Sequence, residues 1–104
     1  MMSKRFIAAI LSGCATLAVS SEALAADLVQ GQRVYNMHCA VCHGMNGIPV
    51  IQQAPSFSAK ERLMQPDMVL LQSVKMGKTL MPPFMGILKD DEILSALLYA
   101  RNLR

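Results

Sequence analysis

At 104 residues the chain has room for one small domain, and it carries no internal repeat, low-complexity segment or second domain. Its 10 Lys and Arg modestly outnumber its 7 Asp and Glu, with no dense basic run and no interleaved aromatic platform, so a nucleic-acid surface is excluded. Of its three cysteines, two fall in one short motif, which narrows the chemistry before any fold is considered.

Residues 1–25 have the pattern of a secretory signal peptide. Lys4 and Arg5 precede an apolar run from Phe6 to Val19, and Ala23-Leu24-Ala25 is an A-x-A site, so cleavage is expected after Ala25. The run is shorter than the roughly 20 apolar residues of a membrane span, an uncleaved anchor being the competing reading. Leu11-Ser12-Gly13-Cys14 looks like a lipoprotein box in which Cys14 would be acylated. Against that, Ala15 to Val19 stay apolar instead of opening a polar tether. The expected location is the periplasm, with lipid anchoring through Cys14 as the alternative. Cleavage would leave Cys39 and Cys42 as the only thiols, in an oxidising compartment.

The second expected unit is 26–104. Asp27 can cap a helix that runs toward Cys39, and Leu28, Gly31, Tyr35 and then His38 or Cys39 share one of its faces by spacing. This puts Cys39-Ala40-Val41-Cys42-His43 at the end of the first helix. A C-x-x-C-H pentapeptide reads as a c-type haem attachment site. Cys39 and Cys42 lie on neighbouring faces of one turn and can form thioethers to the two vinyl groups. His43 is then carried under the iron as proximal ligand. A thiol-disulfide redox motif expects a βαβ surrounding that the chain does not offer. A structural zinc site needs four ligands, and the mature chain has two cysteines and two histidines, three of them in this one run.

Gly44 to Phe57, with Gly44, Gly47, Pro49 and Pro55, is expected to be a loop whose Ile48, Val50 and Ile51 lie against an apolar surface. Ser58-Ala59-Lys60-Glu61 fits a capping box that starts a short helical turn. A second helix is expected from about Asp67, after Pro66, to Met76, with Gly77 ending it. Residues 77–89 are irregular. Asp90 or Asp91 is expected to cap a last helix that runs to about Asn102, apolar around most of its circumference and so wedged between two buried surfaces. A haem would complete the core of so short a mature chain, and the haem-free polypeptide is expected to be largely unfolded.

An electron-transfer haem needs a second axial ligand, and a methionine thioether favours ferrous iron. Of the 9 methionines, removing Met1 and Met2 leaves 7. Met81 lies in the irregular stretch before the last helix, and Pro82 and Pro83 hold the backbone there extended. It is the expected ligand, with Met85 as its rival. Met68 and Met76 are expected to fill core on the second helix, and Met37, Met45 and Met64 to pack around the haem edge or lie on the surface. His38 precedes Cys39 directly and is pinned to the proximal side.

Nearly the whole mature chain resembles a small class I cytochrome c, in particular the short bacterial monohaem forms that include the cytochrome domains of terminal oxidases. The resemblance rests on Gly31 and Tyr35, Cys39 to Gly44, Gly77-Lys78-Thr79-Leu80-Met81-Pro82-Pro83-Phe84, and a final helix with Leu94, Leu98 and Tyr99. It implies an all-α fold of three main helices plus a short helical turn wrapped around one covalently bound haem c. Cys39 and Cys42 would be the thioether residues, and His43 and Met81 the axial iron ligands. Gly31 and Tyr35 would pack against Tyr99 where the first and last helices cross. The carbonyl of Pro55 would receive the ring N–H of His43. The link from His43 to Met81 is short for the family, which would leave the haem edge less covered and lower the potential.

The expected function is that of a periplasmic, monomeric, monohaem electron carrier and not an enzyme, meeting redox protein partners (a dehydrogenase, oxidase or reductase) in transient contact. It would have no nucleic-acid partner and no transmembrane segment in the mature chain. Lys75, Lys78 and Lys89 flank the distal segment and would steer an acidic partner. The alternatives are a haem enzyme or gas sensor with an open or displaceable distal position, and a dedicated cytochrome subunit of one dehydrogenase or oxidase.

Overall fold

Helices at the two ends of the domain cross at Gly31, where the absence of a side chain lets the backbones meet. A Cβ there would lie 2.0 Å from the carbonyl oxygen of Ser95 and 3.1 Å from Cβ of Tyr99. The computed structural model describes the backbone of residues 21–104 and the side chains of residues 27–104. Cys14 and most of the expected signal peptide lie outside the described residues.

Helix α1 spans Ser21–Val34. It continues through a π-helical turn, Tyr35–Cys39, into α2, Ala40–His43. Helix α3 is Asp67–Met76 and α4 is Asp90–Arg101. Among the described residues there is no β-strand, only isolated bridges at Lys78–Met81 and Met85–Leu88. The molecule is therefore all-α, with the interrupted first helix, α3 and α4 as its main helices. Their core joins Val34, Tyr35, Leu63, Leu70, Ile93 and Leu97. Among the described residues no helix is long and apolar enough to cross a membrane.

Tyr35 and Ile93 are the largest fully buried side chains, and the rings of Tyr35 and Tyr99 sit 5.4 Å apart at the crossing. Ser95 is also buried there. Its hydroxyl donates to Oε1 of Gln30 at 2.8 Å, which meets the requirement that a buried polar group find a partner.

Helix starts differ from expectation in instructive ways. In the full chain Ser21 to Ala26 extend α1 upstream of Asp27, which therefore lies inside the helix; cleavage after Ala25 would return it to the helix start. Helix α4 is capped at Lys89, whose backbone N–H donates to Oε1 of Glu92 at 2.8 Å, so Asp90 and Asp91 occupy the first turn instead of the cap. The reciprocal capping expected at Ser58 is built on Ser56. The Ser56 hydroxyl accepts from the backbone N–H of Ala59 at 3.3 Å, and the Glu61 carboxylate accepts from that of Ser56 at 2.7 Å. The turn that follows is irregular, since Lys60 and Arg62 both take positive φ (65° and 67°). Helix α3 starts after Pro66 and ends at Gly77, φ 75°, as its sequence predicts.

Residues 56–65 are strapped to the end of α4. The Lys60 ammonium donates to the carbonyls of Arg101 and Leu103, satisfying C-terminal acceptors of that helix. Arg101 donates in return to the carbonyls of Leu63 (3.2 Å) and Gln65 (3.0 Å) and pairs with Asp67.

Candidate metal centre

The π turn decides how the attachment motif is presented. Four residues along an α-helix overshoot one full turn by about 40°, so side chains at i, i+4 and i+8 drift around the axis. A turn with i→i+5 bonding holds more residues per turn and takes up that surplus. Tyr35, Cys39 and His43 consequently all line one cleft. Nothing in the residue types of Tyr35–Cys39 announces this interruption, and the sequence alone suggests an unbroken helix.

His43 is buried, and each side of its ring is engaged. Its Nδ1 lies 3.3 Å from the carbonyl of Pro55. A carbonyl can only accept, so Nδ1 carries the proton and Nε2 is left with a lone pair. The ring stacks on Phe57, centroids 4.2 Å apart and planes 10° from parallel. Burial lowers the His43 pKa, opposed by the bond to Pro55, and a lowered pKa keeps the imidazole neutral at neutral pH. A neutral imidazole with a fixed tautomer is the form that binds a metal.

No disulfide joins Cys39 and Cys42, and each is half-buried. Burial, reinforced by the adjacent Cys42, pushes the Cys39 thiol up to about 11. Cys39 lines the cleft, whereas Cys42 stands beside it. The backbone N–H groups of Val50 and Ile51 fold back onto the carbonyl of Cys42 at 2.8 and 3.4 Å. This turns Ile48 and Val50 outward to exposure, contrary to the expectation that they cover an apolar surface.

The opposite wall of the cleft comes from residues 77–89. Lys78 and Met81 exchange backbone hydrogen bonds (2.9 and 2.6 Å), and the backbone N–H of Phe84 donates to the carbonyl of Val74 at 3.1 Å. Met81 and the buried Phe84 face the cleft together with Leu88. Met85 is exposed, so position separates the two rival methionines. Met68 and Met76 are exposed on α3 and fill no core, because the inward face of that helix is taken by Leu70 and Leu71. Met37, Met45 and Met64 are surface residues. The half-buried ring of His38 meets the edge of Phe84, centroids 6.1 Å apart, so it lies against the residue 77–89 segment instead of staying on the side of the attachment motif, as its place next to Cys39 suggests.

These residues fit a haem. The cleft opens to solvent, and its walls are almost wholly apolar apart from Tyr35, Cys39, His43 and the Met81 thioether. An imidazole nitrogen, a soft sulfur and a thiol on one apolar cleft are the donor set of a c-type haem site.

Residues 26–99 match the family described as cytochrome c oxidase, cbb3-type, subunit III. Cytochrome c6 of Thermosynechococcus vestitus is 37% identical over 103 residues, covering 94% of this chain and 90% of that one. Cytochrome c6 of Thermostichus vulcanus is 36% identical over 103 residues with the same two coverages, and that of a Nostoc species 34% over 94 residues, covering 86% and 85%. The chain belongs to the small monohaem c-type cytochromes. Like other members of that family it binds one covalent haem c with its iron and carries electrons to and from redox partners. The all-α fold expected from the resemblance is the fold found.

Proposed function

We propose that this cytochrome is a periplasmic carrier in which Cys39 and Cys42 hold the haem by thioethers and His43 and Met81 are its axial ligands. The observation that carries the reading is the cleft itself, with Cys39 and His43 on the side of the first helix and Met81 on the facing segment. The haem supplies a one-electron ferric/ferrous couple. His43 is oriented for ligation by Pro55 and Phe57. Met81 is held extended by Pro82 and Pro83, and two ligands fixed by the fold keep reorganisation on electron transfer small.

Partner contact is brief and falls on the side of the cysteines, where Val41, Ile48 and Val50 are exposed. Steering rests on Lys78 and Lys89, which are exposed, and not on Lys75, which is paired with Asp90. The mature domain is 26–104, with residues 1–25 removed on export and the carrier monomeric.

The oxidised holoprotein is expected to show the weak near-infrared band of methionine ligation and to lose it in Met81→Ala but not in Met85→Ala. A high-spin wild-type spectrum would sink the reading in favour of an open-site haem enzyme. Intact mass of the exported protein fixes the cleavage site, the covalent haem and any lipid on Cys14. The family description also names an oxidase subunit, and a carrier dedicated to one such enzyme would co-purify with it.

A further inference from the structure

The segment that bears Met81 is closed at its base by one ion pair. The backbone N–H groups of Phe84 and Met85 donate to the carbonyls of Val74 and Lys75 (3.1 and 3.2 Å), laying the return limb of the loop against the last turn of α3. The Lys75 ammonium then reaches across to Asp90, the first residue of α4, at 3.0 Å. Lys75 thus receives the loop through its main chain and ties α3 to α4 through its side chain. Beyond Met85 the exposed tip at Gly86 and Ile87 makes few contacts before Leu88 packs back against the core. Ile87 and Leu88 bond only back to the carbonyl of Phe84 among backbone partners, and a Cβ on Gly86 would meet nothing within 4 Å.

We propose that Lys75 and Asp90 form a latch that sets how often Met81 leaves the iron. The inference rests on the His43/Met81 ligation proposed above. Pro82 and Pro83 stiffen the link from Met81 to Phe84, so the thioether and the buried Phe84 ring move as one piece. Separating α3 from the start of α4 frees the limb that ends in that piece. Lys75 and Asp90 are therefore positioning residues for Met81. Asp90 is more than half exposed, so the pair is partly screened and its effect is modest. Asp91, one residue on, occupies the same helix end without a salt-bridge partner among the described residues and supplies a matched control.

The test uses oxidised holoprotein and two readouts: the rate at which imidazole replaces Met81, and native-state hydrogen exchange at the Phe84 and Met85 amides. Lys75→Gln and Asp90→Asn are each expected to speed both by about three- to fivefold, the range an exposed ion pair allows. The double variant should be no faster than either single one, and Lys75→Arg should restore the slow rates. Asp91→Asn, with the same change in net charge, should leave them as they are. Wild-type exchange and imidazole rates in Lys75→Gln, or an additive double variant, would overturn the latch. If the wild type lacks the methionine band, the ligation reading falls by itself, and unchanged amide exchange in Lys75→Gln remains the result that rejects the latch.

Discussion

The hydroxyl of Tyr35 donates a 2.7 Å hydrogen bond to the carbonyl of Gly44, joining the first residue of the π turn to the residue that ends α2. The eight residues between them include both cysteines and His43. One bond therefore brackets the attachment motif, and both of its ends are buried.

Removing the hydroxyl leaves the buried Gly44 carbonyl with only the 3.1 Å bond it accepts from the backbone N–H of Gly47. Tyr35→Phe is expected to destabilise the holoprotein by about 0.5–1.5 kcal/mol, the net worth of one buried hydrogen bond. Denaturant unfolding followed by far-UV circular dichroism measures it, and a midpoint equal to wild type would show that water replaces the phenol.

The same phenol makes stability depend on alkaline pH. Burial, with smaller contributions from Cys39 and Tyr99, pushes the Tyr35 pKa up to about 12 from 10.0. Between those values the unfolded chain has released a proton that the folded chain retains. The contribution is fully present below about pH 10 and is lost as pH rises toward 12. Wild type should lose stability across that window more steeply than Tyr35→Phe, and parallel profiles would exclude Tyr35 as the source.

At the helix crossing, Gly31→Ala sets a methyl group 2.0 Å from the Ser95 carbonyl oxygen, which is backbone and cannot swing aside. Helices α1 and α4 must separate, and the cost is expected to reach or exceed the roughly 1–3 kcal/mol of ordinary overpacking. Thermal unfolding of the holoprotein should show a clearly lowered midpoint.

The haem is expected to complete a core that the small domain only partly builds from its own side chains. Cys39→Ala combined with Cys42→Ala, prepared free of haem, is expected to show no cooperative thermal transition, because too little apolar surface remains to offset chain entropy. A sharp calorimetric peak would refute this.

The sequence carried the chemistry better than the geometry. C-x-x-C-H and Met81-Pro82-Pro83 announce donor types directly, and Pro66 and Gly77 mark the ends of α3 because each acts on its own backbone. Caps were harder to place. Ser56 and Lys89 hold those roles through pairing with Glu61 and Glu92, while equally suitable residues stand beside them. Met68 and Met76 point outward for a related reason: helical spacing gives faces, and only the packing of α3 on α4 says which face is inside. The π turn leaves no signature in the residue types of Tyr35–Cys39.

That turn also defines what an engineer would have to move. A haem-attachment cassette grafted as Cys39 to His43 alone onto an uninterrupted helix would present the whole motif rotated about the helix axis relative to the upstream turn that holds Tyr35. The transferable unit is the ten-residue stretch from Tyr35 to Gly44, with its change of helical pitch at one end and its closing hydrogen bond across both.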